Sequence, residues 1–341
     1  MASRGRRAEP TLYFNGYDVS QELKPYLSSA KFTDVVSGSS DSISIDMYNA
    51  EMIWLKNWYP TKGDEIKGGV VFHDWIRDGV DERLNLGTFI LDSIKFSGGP
   101  PTCSFGGLAI PQNQSFKTRQ RTKTWENVTL KEIASEIAGR YGLSCIYNCK
   151  NPTIESLEQT DKTDLDFLYN TVKEYGLKMK VYNRSIVIFD MGDLEAKSPV
   201  DTIRRKDWVG DSWDYADELE GTYTGGIIKY KSDGGGDEIR VTVGNADEDS
   251  EQARVLYINK KCDSEADAID KAKAAVNEAN EQMTKLSGTI WGKPSVVSGV
   301  TVTVTDLGHA SGKYLVDKVT TEVGDSGTKQ TVEMHKCYQR L

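Results

Sequence analysis

The spacing of apolar residues changes its period along the chain. From Thr11 to about Ala109 the period is two: TLYF and YDV flank the hairpin dipeptide Asn15-Gly16, and SISIDM puts Ile43, Ile45 and Met47 on one face. GGVVF, GTFILDSI and TCSFGGLAI follow, separated by glycine and proline, which predicts an antiparallel sheet closing on itself or on a second sheet. Residues 1–10 are expected to be a mobile tail with Arg4, Arg6 and Arg7 solvated.

After a Lys- and Arg-rich linker, Lys117 to Lys123, the period becomes helical. Thr129 and Glu132 have capping-box spacing, and Leu130, Ile133, Ala134, Ile137, Ala138 and Tyr141 recur at 3-and-4 intervals up to Gly142. SCIY continues as a strand. A second helix opens at Thr163 and Asp166, carries Leu165, Leu168, Val172 and Tyr175, and ends at Gly176. YGL recurs at Tyr141 and Tyr175, 34 residues apart, but each helix is followed by a strand, which excludes a tetratricopeptide array. A hairpin turning at Asn183-Arg184 closes this α/β module near Lys197.

From Pro199 the period of two returns. TGGIIKYKS and DEIRVTVG flank a turn at Asp233-Gly234-Gly235-Gly236, and RVLYI is a further strand. Ser264 and Asp267 cap an isolated helix whose seam is Ile269, Ala272, Val276, Ala279, Met283 and Leu286. Beyond Gly288, Val300, Val302 and Val304 alternate ahead of GKYLVDKV and QTVEMHKC. The expected fold class is α+β, mainly β: two related small antiparallel β-barrels with an α/β module between them and a helix inserted in the second. The expected division is a tail at 1–10, a first barrel at 11–115, the module at 116–197, a second barrel at 198–258 and 289–341, and the inserted helix at 259–288.

GTFILDSI, Gly87 to Ile94, is echoed 225 positions later by GKYLVDKV, Gly312 to Val319, with six of eight positions matching in kind. Both copies sit shortly after a Gly-rich turn and before a final strand pair. Duplication of one β domain explains the echo, and it has a symmetry consequence. Three such chains around an axis present six similar domains, so a trimer can face one partner as a sixfold object and another as a threefold one.

Charge and cysteine content narrow the function. A net charge of −9 argues against a sequence-reading nucleic-acid binder, and the acidic run from Asp207 to Glu251 reads either as a solvated face or as a surface that repels passing DNA. Five irregularly spaced cysteines read as buried apolar groups in a reducing compartment, and no run of about 18 apolar residues predicts a membrane span. A search for chemistry leaves little. His73, His309 and His335 lie far apart, GHASGKY (Gly308 to Tyr314) lacks the spacing and the helix of a phosphate loop, and ADEDSE (Ala246 to Glu251) lacks the glycine of an EF-hand. No catalytic, cofactor-binding or metal-ligating residue is assigned. Trp54 and Trp58, four apart in MIWLKNWYP, fit a core, a subunit interface or a sugar platform, and Trp208 and Trp213 join them as candidate interface residues.

The chain resembles the phage late control D family, the baseplate hub of contractile tails and related injection machines, akin to the hub part of type VI spike proteins. The residues that carry the resemblance are NGYDVS, the GDEI turn, GTFILDSI, TWENVTLKEIASEIAGRYGL and, above all, LEQTDKTDLDFLYNTVKEYGLKMKV. In this last stretch Gln159, Asp164, Leu165, Phe167, Leu168 and Gly176 occupy the family's positions. The resemblance implies tube-like barrels, a homotrimer without enzymatic turnover or cofactor, and a place in a virion or tail-like particle after synthesis in the host cytoplasm. It further implies a hexameric tail tube protein above, a threefold spike below and other baseplate proteins around, with DNA only as cargo through the lumen. Nothing follows residue 341, so the spike is expected to be a separate protein. The alternatives are a tail-associated peptidoglycan hydrolase, suggested by the abundant carboxylates, and a carbohydrate-binding adhesion module.

Overall fold

The computed structural model describes residues 5–109, 115–230, 239–325 and 327–341. The protein is mainly β, about 50% strand and 19% helix, with large antiparallel pairings. One 13-stranded sheet runs through most of the molecule, and three small sheets carry the remaining strands.

Two portions of the large sheet follow one plan. The N-terminal unit has Leu27–Val35, Ser42–Tyr48, Glu65–His73, Asp81–Ser97 and Thr102–Leu108 as its first to fifth strands. The C-terminal unit has Trp208–Asp217, Thr284–Trp291, Thr301–Thr305, Gly312–Gly324 and Gly327–Lys336. In each, the spatial order is first, second, fifth, fourth, third, with every neighbour antiparallel. Alternation makes one face of each apolar. Phe32, Ile43, Ile45, Phe72, Phe89 and Phe105 fill the first core, and Leu286, Ile290, Val302, Tyr314, Val316 and Val332 the second. Where two closed barrels were expected, no sheet closes on itself among the described residues, and the two units are continuous in a single sheet.

The first strand of the chain, Arg7–Phe14, pairs with Glu65–His73 from its start, so residues 7–10 belong to the sheet where a tail was expected. Ala8 and Leu12 tie it down by packing into the N-terminal core. Asn15 and Gly16 both have positive φ, 46° and 85°, as the two-residue hairpin requires.

Between the units lies the α/β module. The helices Leu130–Arg140 and Asp164–Glu174 share a core with a three-stranded sheet of Ser144–Tyr147, Leu177–Tyr182 and Ser185–Asp190. Thr129 and Glu132 form the capping box reciprocally. The Lys- and Arg-rich segment expected as a linker is largely a strand, Gln120–Thr129, laddered to Thr153–Thr163. Its buried residue is Trp125, and the Lys123 ammonium sits 3.7 Å above that ring.

The insertion in the C-terminal unit is larger than a helix. Gly225–Tyr230, Ile239–Gly244 and Val255–Ile258 form their own sheet under the helix Glu265–Asn280, between the first and second strands of the unit. These strands were expected in the second barrel. Instead Ile228, Val241, Val243 and Ile258 bury against Ala268, Ala272 and Val276, in a cluster separate from that unit's core. The helix buries an i, i+4, i+8 stripe, leaving Ile269 exposed, and it ends before Met283 and Leu286, which the expected seam included. The turn expected at Asp233–Gly236 lies outside the described residues, as does Arg4.

Candidate assembly surface

The two echoed octapeptides occupy the same place in the two units, residue by residue. Phe89 pairs with Ile66 and Tyr314 with Val302; Thr88 pairs with Lys67 and Lys313 with Thr303; Gly87 pairs with Gly68 and Gly312 with Val304. The Leu91 N–H donates to the Asp64 carbonyl at 2.8 Å, and the Leu91 carbonyl accepts from Gly63 N–H at 2.8 Å; Val316 repeats this with Val300 at 2.9 Å and Gly299 at 2.8 Å. Gly63 and Gly299, with φ of +97° and +76°, turn the chain into the third strand in both units. The register with the fifth strand then shifts between Leu91 and Ser93 in one unit and between Val316 and Lys318 in the other. Asp92 and Asp317 are therefore the same bulge residue in two copies.

Past the bulge the copies differ. In the C-terminal unit the fourth strand takes on a new neighbour, the first strand of the N-terminal unit, from Lys318 opposite Val35 to Gly324 opposite Ser29. Across this internal joint Thr33 and Thr320 hydroxyls meet at 3.1 Å, and Lys31 faces Glu322 at 3.6 Å. In the N-terminal unit the corresponding stretch, Ser93–Ser97, has strand partners on one side only among the described residues, and so does Trp213–Asp217 of the C-terminal unit.

Buried charges lock the pieces together. Lys180 of the module reaches Asp34 at 2.6 Å and Asp41 at 3.0 Å in the N-terminal unit, while Asp34 accepts from the Ser298 N–H and hydroxyl at 2.9 and 2.6 Å. Burial pushes the Asp41 carboxyl up to about 6, against the pull of Lys180. Inside the module, Asp164 accepts from Gln159 at 2.8 Å, Arg121 at 3.0 Å, Arg140 at 3.1 Å and Tyr141 at 2.6 Å. Burial alone would raise Asp164, but hydrogen bonds from Gln159, Tyr141 and Arg140 outweigh it and hold the carboxyl below its usual range. Gln159 and Asp164, singled out by sequence, thus form a structural latch between the ladder and both helices.

A second latch holds the C-terminal bulge. His335 lies between Asp317, 2.7 Å from Nδ1, and Glu195, 2.8 Å from Nε2, and Glu195 also accepts from Arg340 at 2.6 and 2.9 Å. Burial alone would lower the imidazole; its bonds to Asp317 and Glu195 prevail and hold it up to about 9, so both ring nitrogens donate. His73 instead contacts Asp81 at 2.7 Å, and His309 sits in a short turn. No His, Cys, Asp or Glu side chains gather as a metal-holding group among the described residues. The five cysteines are free thiols.

The candidate tryptophans divide into two pairs in separate units. Trp54 and Trp58 stack edge to face at 5.4 Å, with Trp54 buried against Phe105 and Trp58 49% exposed. Met52, Leu55 and Tyr59 share that exposure, making an apolar loop surface. Trp208 is buried in the C-terminal core beneath Gly288, where a Cβ would lie 2.8 Å from its ring. Trp213, half-buried on the same strand, donates Nε1–H to Asp211 at 3.0 Å. Sequence reasoning did not find the two open strand edges. The aspartate shared by the echoes was the available signal, because it marks where the fourth strand changes neighbours.

No family model matches the chain and no curated protein does. Solved structures do. A 43 kDa tail protein of prophage MuSo2 from Shewanella oneidensis is similar with a TM-score of 0.72 at 15% identity, over 96% of this chain and 98% of that one. A tail protein of Neisseria meningitidis MC58 gives 0.72 at 13% identity, over 97% of both chains. An E. coli component of the type VI secretion system gives 0.58 at 12% identity, over 96% of this chain and 77% of that one. This chain has the fold of those tail and secretion-system proteins.

Proposed function

We propose that this protein is the structural baseplate hub of a contractile phage tail or a tail-like injection particle, a hub of the late control D kind. It acts as a homotrimer that joins a hexameric tail tube to a threefold spike, with other baseplate proteins around it and DNA only as cargo. The observation that carries this reading is the duplicated five-strand unit, equivalent down to its bulge, in a chain with a tail-protein fold. Two similar units per chain give three chains six similar β faces and one threefold axis. The working division is a β domain from about residue 7 to 115, the module at 116–197, and a second β domain from 198 onward, interrupted by a sheet-and-helix insertion. The work of such a hub is mechanical: it transmits force from tube to spike through the Lys180 and His335 latches and turns over no substrate. Exposed Trp58 and half-buried Trp213 are the candidate tryptophans available to neighbours, while Trp54 and Trp208 support them from within.

Sedimentation of the purified chain tests the reading. A species of three times the 37.9 kDa chain mass is expected. A chain that remains monomeric alone and with its tail and spike partners contradicts it.

A further inference from the structure

The internal joint is a template for a joint the chain cannot make with itself. In that joint the fourth strand of one unit, past its bulge, pairs with the first strand of the other. Both units carry both strands, yet only one such joint exists among the described residues. Ser93–Ser97 and Trp213–Asp217 are the unused halves.

We propose that Ser93–Ser97 of one chain pairs antiparallel with Trp213–Glu218 of a second copy, in the register of the internal joint. This rests on the hub reading and specifies the surface through which that hub assembles. The pairings follow from the equivalences. Lys95 corresponds to Thr320 and Ala216 to Thr33, so Lys95 lies opposite Ala216; Phe96 likewise lies opposite Tyr215, as Thr321 lies opposite Phe32. Lys95 then stands diagonally between Asp214 and Glu218 on the outward face, within reach of a long side chain, at the position where the internal joint has Thr320 opposite Thr33. Charge also selects the mate. An edge bearing Asp214, Asp217 and Glu218 repels a copy of itself and accepts a lysine-bearing one. The contact is therefore head to tail, the kind that closes into a ring.

The test uses the full-length chain carrying Lys95→Cys and Ala216→Cys, oxidised mildly and run on a non-reducing denaturing gel beside a sedimentation measurement. A disulfide is geometrically allowed between directly opposed residues of an antiparallel pair. The expected result is loss of the monomer band to a covalent trimer. Each single variant, which retains the native cysteines, should stay monomeric on the gel, as should Lys95→Cys combined with Asp214→Cys, two residues out of register. Lys95→Glu should weaken the trimer, and adding Asp214→Lys should restore it. A trimer by sedimentation without the 95–216 disulfide, or with equal cross-linking out of register, overturns this pairing and leaves the hub reading standing. A chain that never trimerises overturns both.

Discussion

The N- and C-terminal units share strand order, register and bulge, but they are filled and braced differently. The N-terminal core is aromatic, with Phe32, Phe72, Phe89 and Phe105, and it makes room with glycines: a Cβ on Gly68 would stand 2.4 Å from the Phe32 ring. The counterpart of Gly68 is Val304, in a core richer in valine. The bulge aspartates diverge further. Asp92 is exposed, whereas Asp317 holds His335, and the position equivalent to His335 is Leu108. A duplicated backbone therefore does not demand duplicated side chains. Strand pairing and the positive-φ glycines fix the shared geometry, while each core and each latch is free to differ.

The sharpest contrast is between the two bulge residues. Asp317→Ala leaves the His335 cation short of a partner and should cost about 3 kcal/mol, whereas Asp92→Ala should stay within about 0.5 kcal/mol, both read by urea unfolding. The same latch sets a pH dependence. The His335 pKa is raised from 6.5 to about 9 in the folded protein, so the stability its charge contributes is whole below about pH 6.5 and is lost as pH rises through about 9. Urea midpoints followed through that window should fall in the natural chain and stay flatter in His335→Leu, which copies the N-terminal unit.

Importing the C-terminal residue into the other core tests the packing difference. Gly68→Val should cost about 2 kcal/mol by overpacking against Phe32, and Phe32→Leu in the same chain should recover part of it. At the internal joint, Lys31→Ala should change stability by under about 1 kcal/mol, because the Lys31–Glu322 pair is exposed and weakly held.

Much of this was legible in the sequence, and the reason is locality. The capping box at Thr129, the hairpins at Asn15 and Asn183, and the helices ending before Gly142 and Gly176 depend on residues a few positions apart. The echo was visible because an octapeptide with a bulge constrains glycine, aromatic and aspartate together. What stayed hidden is non-local. Nothing in Gly225–Tyr230 says that it leaves the main sheet for the helix Glu265–Asn280, since a period of two fits either sheet. The strand Gln120–Thr129 was masked by its charges, because Arg121 is held by Asp164 and Lys123 by Glu136 and the Trp125 ring. Among the candidate tryptophans, no local pattern separates the buried Trp54 and Trp208 from the exposed Trp58.

The most direct test of the paired-unit account is a cryo-electron microscopy map of the assembly this chain forms, with the chain traced in it. The account predicts three chains whose six five-strand units alternate around the axis as near-equivalents, with Ser93–Ser97 of each chain beside Trp213–Glu218 of the next. A ring with any other number of chains, or one in which the two units face different directions and touch different surroundings, would contradict it.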